Sequence, residues 1–283
     1  MVIGEEKIKW IDAPPLLEGA VADILRSYVV AVDTEYDSFR YFREKLCLVQ
    51  LATLDVFYLF DPLSGLDLSD LGEIFSCPQI LKIFHAGEND IRLLKRDYGF
   101  CVKNIFDTAK AASLLGEEHL ALAHLVRKYL GMELEKKKSI QRSRWDQRPL
   151  SSSQIAYATL DVAYLFDLHR VLADELKARG CLEEAKAAFE AISTVSWRGR
   201  PFRPRGYRRF VEQGSLSAIE ERKLKALYEW RYFLAADLDL APFMILSDSE
   251  LVEVARKGLA ALSPEKRQRW GEEIEAHVFG FKK

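Results

Sequence analysis

Long apolar runs are missing from this chain of 283 residues. No stretch approaches the ~18–20 consecutive apolar residues of a membrane-spanning helix. The opening residues, Met-Val-Ile-Gly-Glu-Glu-Lys, lack the basic-then-apolar layout of a signal peptide. A soluble, cytoplasmic protein is therefore expected. Cysteine is scarce: Cys47, Cys77, Cys101 and Cys181 lie far apart and form no C-x-x-C pair. That spacing argues against a disulfide framework or a zinc ribbon and for reduced, buried thiols. An excess of positive charge is absent too. Lys and Arg number 41 against 43 Asp and Glu, a formal charge of −2, so a surface for a polyanion has to be a local patch. There is no internal repeat and no low-complexity tract.

What is present is an ordinary globular composition, 49% hydrophobic and 30% charged. The length suffices for one substantial core plus a smaller second domain. Through the first 190 or so residues, strand-like and helix-like segments alternate. Tyr28–Asp33 is a β-branched run that reads as a buried strand, and Leu46–Ala52 and Val56–Asp61 follow as a meander. Ile80–Ala86 is a fourth strand, after which Gly87 opens a helix with apolar positions Ile91, Leu94 and Tyr98. Ala109–Leu115 and Leu120–Leu130 read as further helices. Ser151 and Gln154 form a capping box, and the run Ile155–Leu176 continues as one long helix without Pro or Gly. Strands first, then strands alternating with helices, predict an α/β fold with a mixed sheet covered by helices.

The composition changes at Ser193–Phe210. Arg198, Arg200, Arg203, Arg205, Arg208 and Arg209 are interleaved there with Trp197, Phe202, Tyr207 and Phe210, without an acidic residue. Prolines and glycines make it a semi-extended linker. Arginine with aromatics suits single-stranded nucleic acid, through phosphate pairing and base stacking; the alternative is a linker laid along an acidic face. Beyond it every segment is helical, with S-x-x-E capping boxes at Ser217–Glu220 and Ser247–Glu250 and a Ser263-Pro264 helix start. The expected division is 1–192, a linker at 193–212, and a small all-α domain at 213–283.

Three short elements carry chemistry. Asp33-Thr34-Glu35 ends the most apolar strand, and carboxylates at i and i+2 of an extended segment point to the same side. At about 4 Å and an effective dielectric near 20, their repulsion is on the order of 4 kcal/mol, which a cation cancels. In His85-Ala86-Gly87-Glu88-Asn89-Asp90 a strand turns into a helix, and the helix dipole favours the Asp90 carboxylate in the first turn. Tyr157 and Asp161 stand at i and i+4 of a helix, one turn apart on one face, so a phenol can orient a water beside a carboxylate-held metal. Each element alone is ordinary helix or strand chemistry. Four carboxylates without clustered histidine or thiolate favour hard Mg2+ or Mn2+. His119 and His124, five apart, do not have zinc-protease spacing.

Taken in order, these elements resemble the three Exo motifs of the DEDDy 3′→5′ exonuclease superfamily, and the ribonuclease D family within it. Val32-Asp33-Thr34-Glu35, Leu48-Val49-Gln50-Leu51, Asp61-Pro62-Leu63, His85-Ala86-Gly87, Phe106-Asp107-Thr108 and the stretch from Ser143 to Ser151 carry the likeness over roughly residues 20–175. The resemblance implies a ribonuclease H-like mixed sheet. It implies two divalent cations, Mg2+ or Mn2+, and release of nucleoside 5′-monophosphates from RNA with a free 3′ end, as in tRNA precursor maturation. Asp33 would bridge both cations, Glu35 and Asp161 would complete the site of the attacking water, Asp90 would support the second cation, and Tyr157 would position the water. Arg142, Arg144, Arg148 and Lys136–Lys138 form a basic loop that, with Arg203 and Arg205, can meet substrate phosphates. His85 and Asp107 can act as orienting residues or as strand-end packing. The C-terminal helices resemble an HRDC domain through Trp230-Arg231, Ala235 and Pro242–Leu246, although Trp270–Lys283 lacks the family's usual Gly-containing junction. Competing readings are a DNA exonuclease, a catalytically silent nucleic-acid-binding module, and a phosphatase of the haloacid dehalogenase type, which needs a D-x-D with a downstream lysine arrangement that Asp33-Thr34-Glu35 in this context does not supply.

Overall fold

The computed structural model describes residues 4–134, 138–199, 201–211 and 216–280. Lys136, Lys137, Arg200 and Gln213, all part of the sequence expectations, lie outside them. The chain forms two compact units, Met1–Asp37 with Lys45–Trp197, and Ser38–Glu44 with Arg198–Lys283.

The first unit is built on a six-stranded mixed sheet. In chain order its elements are β1 (Ile8–Ile11), α1 (Pro14–Ile24), β2 (Val29–Asp37), β3 (Lys45–Ala52), β4 (Phe57–Phe60), α2 (Leu71–Ser76), β5 (Leu81–Phe84), α3 (Glu88–Tyr98), β6 (Ile105–Asp107), α4 (Thr108–Leu114), α5 (Leu122–Leu125), α6 (Lys138–Gln141), α7 (Ser152–Ala163), α8 (Leu165–Ala178) and α9 (Leu182–Ser193). The strand order is β1-β4-β3-β2-β5-β6. The meander β2-β3-β4 is antiparallel, and β1, β5 and β6 join it in parallel. This is the mixed, helix-flanked sheet expected of a ribonuclease H-like fold. β3 is buried at nearly every position, being a central strand whose apolar residues are shared between two apolar clusters.

β1 and β6 are not among the strands expected, and the helix expected over Leu120–Leu130 is α-helical at Leu122–Leu125 and widens to π geometry at Val126–Leu130. Two further local expectations change. The strand expected to end at Asp33 continues to Asp37, because β3 pairs with it as far as Lys45, with a bulge between Glu35 and Tyr36. Asp33 and Glu35 therefore sit within a paired strand rather than at a frayed end. The single helix expected over Ile155–Leu176 divides at Tyr164, which ends α7 and precedes α8 with φ −94 and ψ −3. No proline or glycine causes the break. α7 lies over β2 and β3, whereas α8 packs on α4, β5 and α9, so the two halves bury different faces. The capping box at Ser151 and Gln154 forms as read, and Gln154 also reaches Ser143 Oγ at 3.0 Å.

The second unit is helical: α10 (Arg208–Val211), α11 (Ala218–Asp237), α12 (Pro242–Ile245), α13 (Asp248–Lys257) and α14 (Pro264–Ile274). Its core joins Leu224, Leu227, Trp230, Ile245, Leu251, Val254, Trp270 and Ile274 with Phe42, Tyr207 and Phe210. Both S-x-x-E capping boxes are made. The basic stretch is thus divided between the units. On one side Lys95 Nζ donates to the carbonyls of Ser193 and Val195, and Arg96 stacks on Trp197 at 5.5 Å. On the other, Tyr207 and Phe210 are core residues.

Candidate active site

β2 presents Asp33 and Glu35 on the face over which α7 lies, and α7 brings Asp161 to them. One carboxylate oxygen from each of Asp33, Glu35 and Asp161 lies within 4.8 Å of the others. Glu35 and Asp161 are buried, and Asp33 is partly exposed. At that separation and an effective dielectric of 20, each like-charged pair costs roughly 3–4 kcal/mol. A divalent cation turns the repulsion into attraction. A donor set made only of carboxylate oxygens suits a hard ion such as Mg2+ or Mn2+, so the residues fit the metal that the sequence implied.

Asp90 is reached by a different route. β5 ends at Phe84, and the chain enters α3 through Ala86, held at a left-handed φ of 55, and Gly87. A Cβ on Gly87 would fall 2.5 Å from Phe84 Cβ, so only glycine fits. Asp107 secures this turn, accepting from Ala86 N at 3.2 Å and Gly87 N at 2.7 Å while also capping α4 through Lys110 N. His85 Nδ1 lies 2.9 Å from Thr108 Oγ1, which donates to Phe84 O. Asp107 and His85 are thus orienting residues of the β5–α3 turn. That turn delivers Asp90 to Thr34, whose Oγ1 donates to Asp90 Oδ1. Burial, and then the nearby Asp33 charge, push the Asp90 carboxyl well above the ordinary carboxylate range. Thr34 entered the sequence reading only as the middle residue of the Asp33-Thr34-Glu35 motif, with no role of its own; its contact depends on the position of α3.

Tyr157 is buried on α7, its ring 6.0 Å from that of Trp145. Burial and then the Glu35 and Asp33 charges raise its phenol pKa, so the hydroxyl keeps its proton at neutral pH. Tyr157 can therefore orient a neighbouring group by hydrogen bonding.

The expected basic loop is less available than its composition suggested. Arg148 makes a two-pronged pair with Asp61, at 2.7 Å and 2.6 Å, and also donates to the Cys47 and Trp145 carbonyls. It lies over the Trp10 ring at 5.4 Å. Arg144 pairs with Asp146 through both Nε and Nη2. Arg142, Arg144, Arg203 and Arg205 are exposed. Trp145, fully enclosed against Tyr157 and Leu48, anchors the loop.

Residues 8–177 match the family described as 3′-5′ exonuclease, and residues 220–274 match the HRDC domain. A curated ribonuclease D from Gluconacetobacter diazotrophicus is 31% identical over 243 residues, 84% of this chain and 60% of that protein. The chain spans from about a fifth to about three fifths of the first curated relatives it matches. Among solved structures, Escherichia coli RNase D, titled an exoribonuclease involved in structured RNA processing, is 28% identical. Its TM-score is 0.72, over 96% of this chain and 74% of that one. Brucella melitensis NrnC with bound Mg2+ is 27% identical at a TM-score of 0.57, over 66% of this chain and 90% of that one.

Proposed function

The chain belongs to the 3′-5′ exonuclease family, with an HRDC domain following the nuclease unit, and from that premise we propose that it is a divalent-metal-dependent exoribonuclease. It would shorten RNA from a free 3′ end, release nucleoside 5′-monophosphates, and serve in RNA 3′-end trimming such as tRNA precursor maturation. The convergence of Asp33, Glu35 and Asp161 within 4.8 Å carries this reading. Those three acids would hold one cation, and Asp90, beside Asp33, would support the second. Two such cations, Mg2+ or Mn2+, supply the positive charge that an in-line displacement at phosphorus requires.

The chain's own residues do the positioning. Thr34 fixes the orientation of Asp90. Tyr157, protonated and next to Glu35, accepts or donates a hydrogen bond and so aims the attacking water. Tyr157→Phe keeps the packing against Trp145 and removes that bond. We expect kcat to fall about 100-fold, with KM near the wild-type value; equal kcat in single-turnover measurements would remove the role from Tyr157. Arg203 and Arg205, both exposed in the second unit, are proposed contacts for single-stranded phosphates. Replacing both by Gln should lower the slope of log K against log salt by roughly 1.4 on single-stranded RNA. An unchanged slope would return this stretch to a purely connecting role.

The decisive experiment uses purified protein with Mg2+ or Mn2+ on matched RNA and DNA oligomers labelled at the 5′ end. A ladder shortening from the 3′ end of RNA is expected. Equal or faster shortening of DNA would overturn the substrate assignment, and the absence of cleavage with either ion would overturn the reading as an enzyme.

A further inference from the structure

Gln50 is fully buried at the centre of β3, with 0% exposure. It pairs in register with Asp33 on one side and with Leu59 on the other. Directly opposed residues of neighbouring antiparallel strands project to one face, their Cβ atoms about 4.5–5.5 Å apart. The carboxamide therefore leaves the sheet on the face that carries Asp33, under α7. Among the described residues, neither Nε2 nor Oε1 of Gln50 has a hydrogen-bond partner. Its neighbours on that face, Leu48 and Leu59, belong to an apolar cluster with Tyr157 and Ala158. Leucine or methionine would serve such a position at lower cost, because a buried amide without partners leaves two donors and an acceptor unmet. Simple packing does not account for a glutamine here, and the register sets Asp33, an acid of the carboxylate cluster, directly opposite it.

We propose that Gln50 is a positioning residue for the metal site. On cation binding, its Nε2 donates to the Asp33 carboxylate, directly or through one buried water, and fixes which oxygen faces the ion. This rests on the reading of Asp33, Glu35 and Asp161 as metal-holding residues. Hydrogen bonds behind a ligand orient it and raise its affinity for the ion. Gln50 itself touches neither substrate nor the reacting atoms.

Gln50→Met in the full chain conserves the side chain's length and removes the amide. Two quantities are read: the Mn2+ dissociation constant by calorimetry without substrate, and the thermal midpoint without metal. The metal-free midpoint should be unchanged or higher, since an unmet polar group has gone, while Mn2+ binding weakens about 10- to 100-fold. A purely structural residue would not separate these two readouts. Mn2+ affinity equal to wild type in a folded Gln50→Met protein overturns the proposal. Should that variant fail to fold, Gln50→Asn, which keeps the amide and shortens its reach, supplies the same comparison: weakened Mn2+ binding supports the role, and unchanged binding removes it. If the wild-type chain takes up no Mn2+ at all, the metal-site reading itself falls, a result distinct from failure of the Gln50 assignment.

Discussion

Asp33→Ala and Asp161→Ala should each reduce RNA turnover by at least about 1000-fold, the equivalent of several kcal/mol of charge stabilisation in the transition state. Neither should unfold the protein. Each acid stands in a group of like charges within 4.8 Å, so deleting one relieves repulsion in the metal-free state. Circular dichroism and the thermal midpoint are therefore expected at or above wild-type values while activity vanishes. This stability–activity opposition is the mark of a metal-holding carboxylate. Turnover near the wild-type rate in either variant would remove the metal assignment. Loss of activity that followed loss of folding would assign the residue to the scaffold.

Arg148→Met should have its main effect on stability. The Arg148–Asp61 pair is largely enclosed, with side-chain exposures of 24% and 5%, and the same guanidinium donates to the backbone of Cys47, Trp145 and Gln147. Removing one partner of a buried pair leaves the other charge uncompensated, typically at 3–5 kcal/mol. The partial exposure of Arg148 places the expected loss near the lower end, about 3 kcal/mol. For a unit of this size that corresponds to roughly 6–12 °C in the thermal midpoint. Asp61→Leu combined with Arg148→Met should recover part of the loss, since no buried charge is then left alone. If instead the midpoint stays put and RNA affinity drops, Arg148 is a substrate contact, as its place in a basic loop suggested.

Much of the site was legible because its clues are local. An acid pair at i and i+2 of a β-branched strand, a glycine at a strand-to-helix turn, and a tyrosine four residues before an aspartate each follow from spacing within one element. The capping boxes at Ser151, Ser217 and Ser247 were read correctly for the same reason: both halves of each bond lie within three residues. Thr34 and Asp107 were harder. Their importance comes from bonds to Asp90, 56 residues away, and to Gly87, 20 residues away.

The sequence by itself determined strands β2 to β5, several of the helices, the serine caps and the candidate carboxylates, but not β1 or β6, because β-branched runs, turn residues and helix ends act over a few neighbouring positions. Tertiary structure decided the break at Tyr164, the division of the basic stretch between two cores, the commitment of Arg148 to Asp61, and the burial of Gln50 opposite Asp33. Each of those outcomes depends on what covers a face or answers a charge from far along the chain. The Arg148–Asp61 pair spans 87 residues, and only the closed fold brings such groups within the few ångströms at which desolvation and Coulomb attraction set their roles.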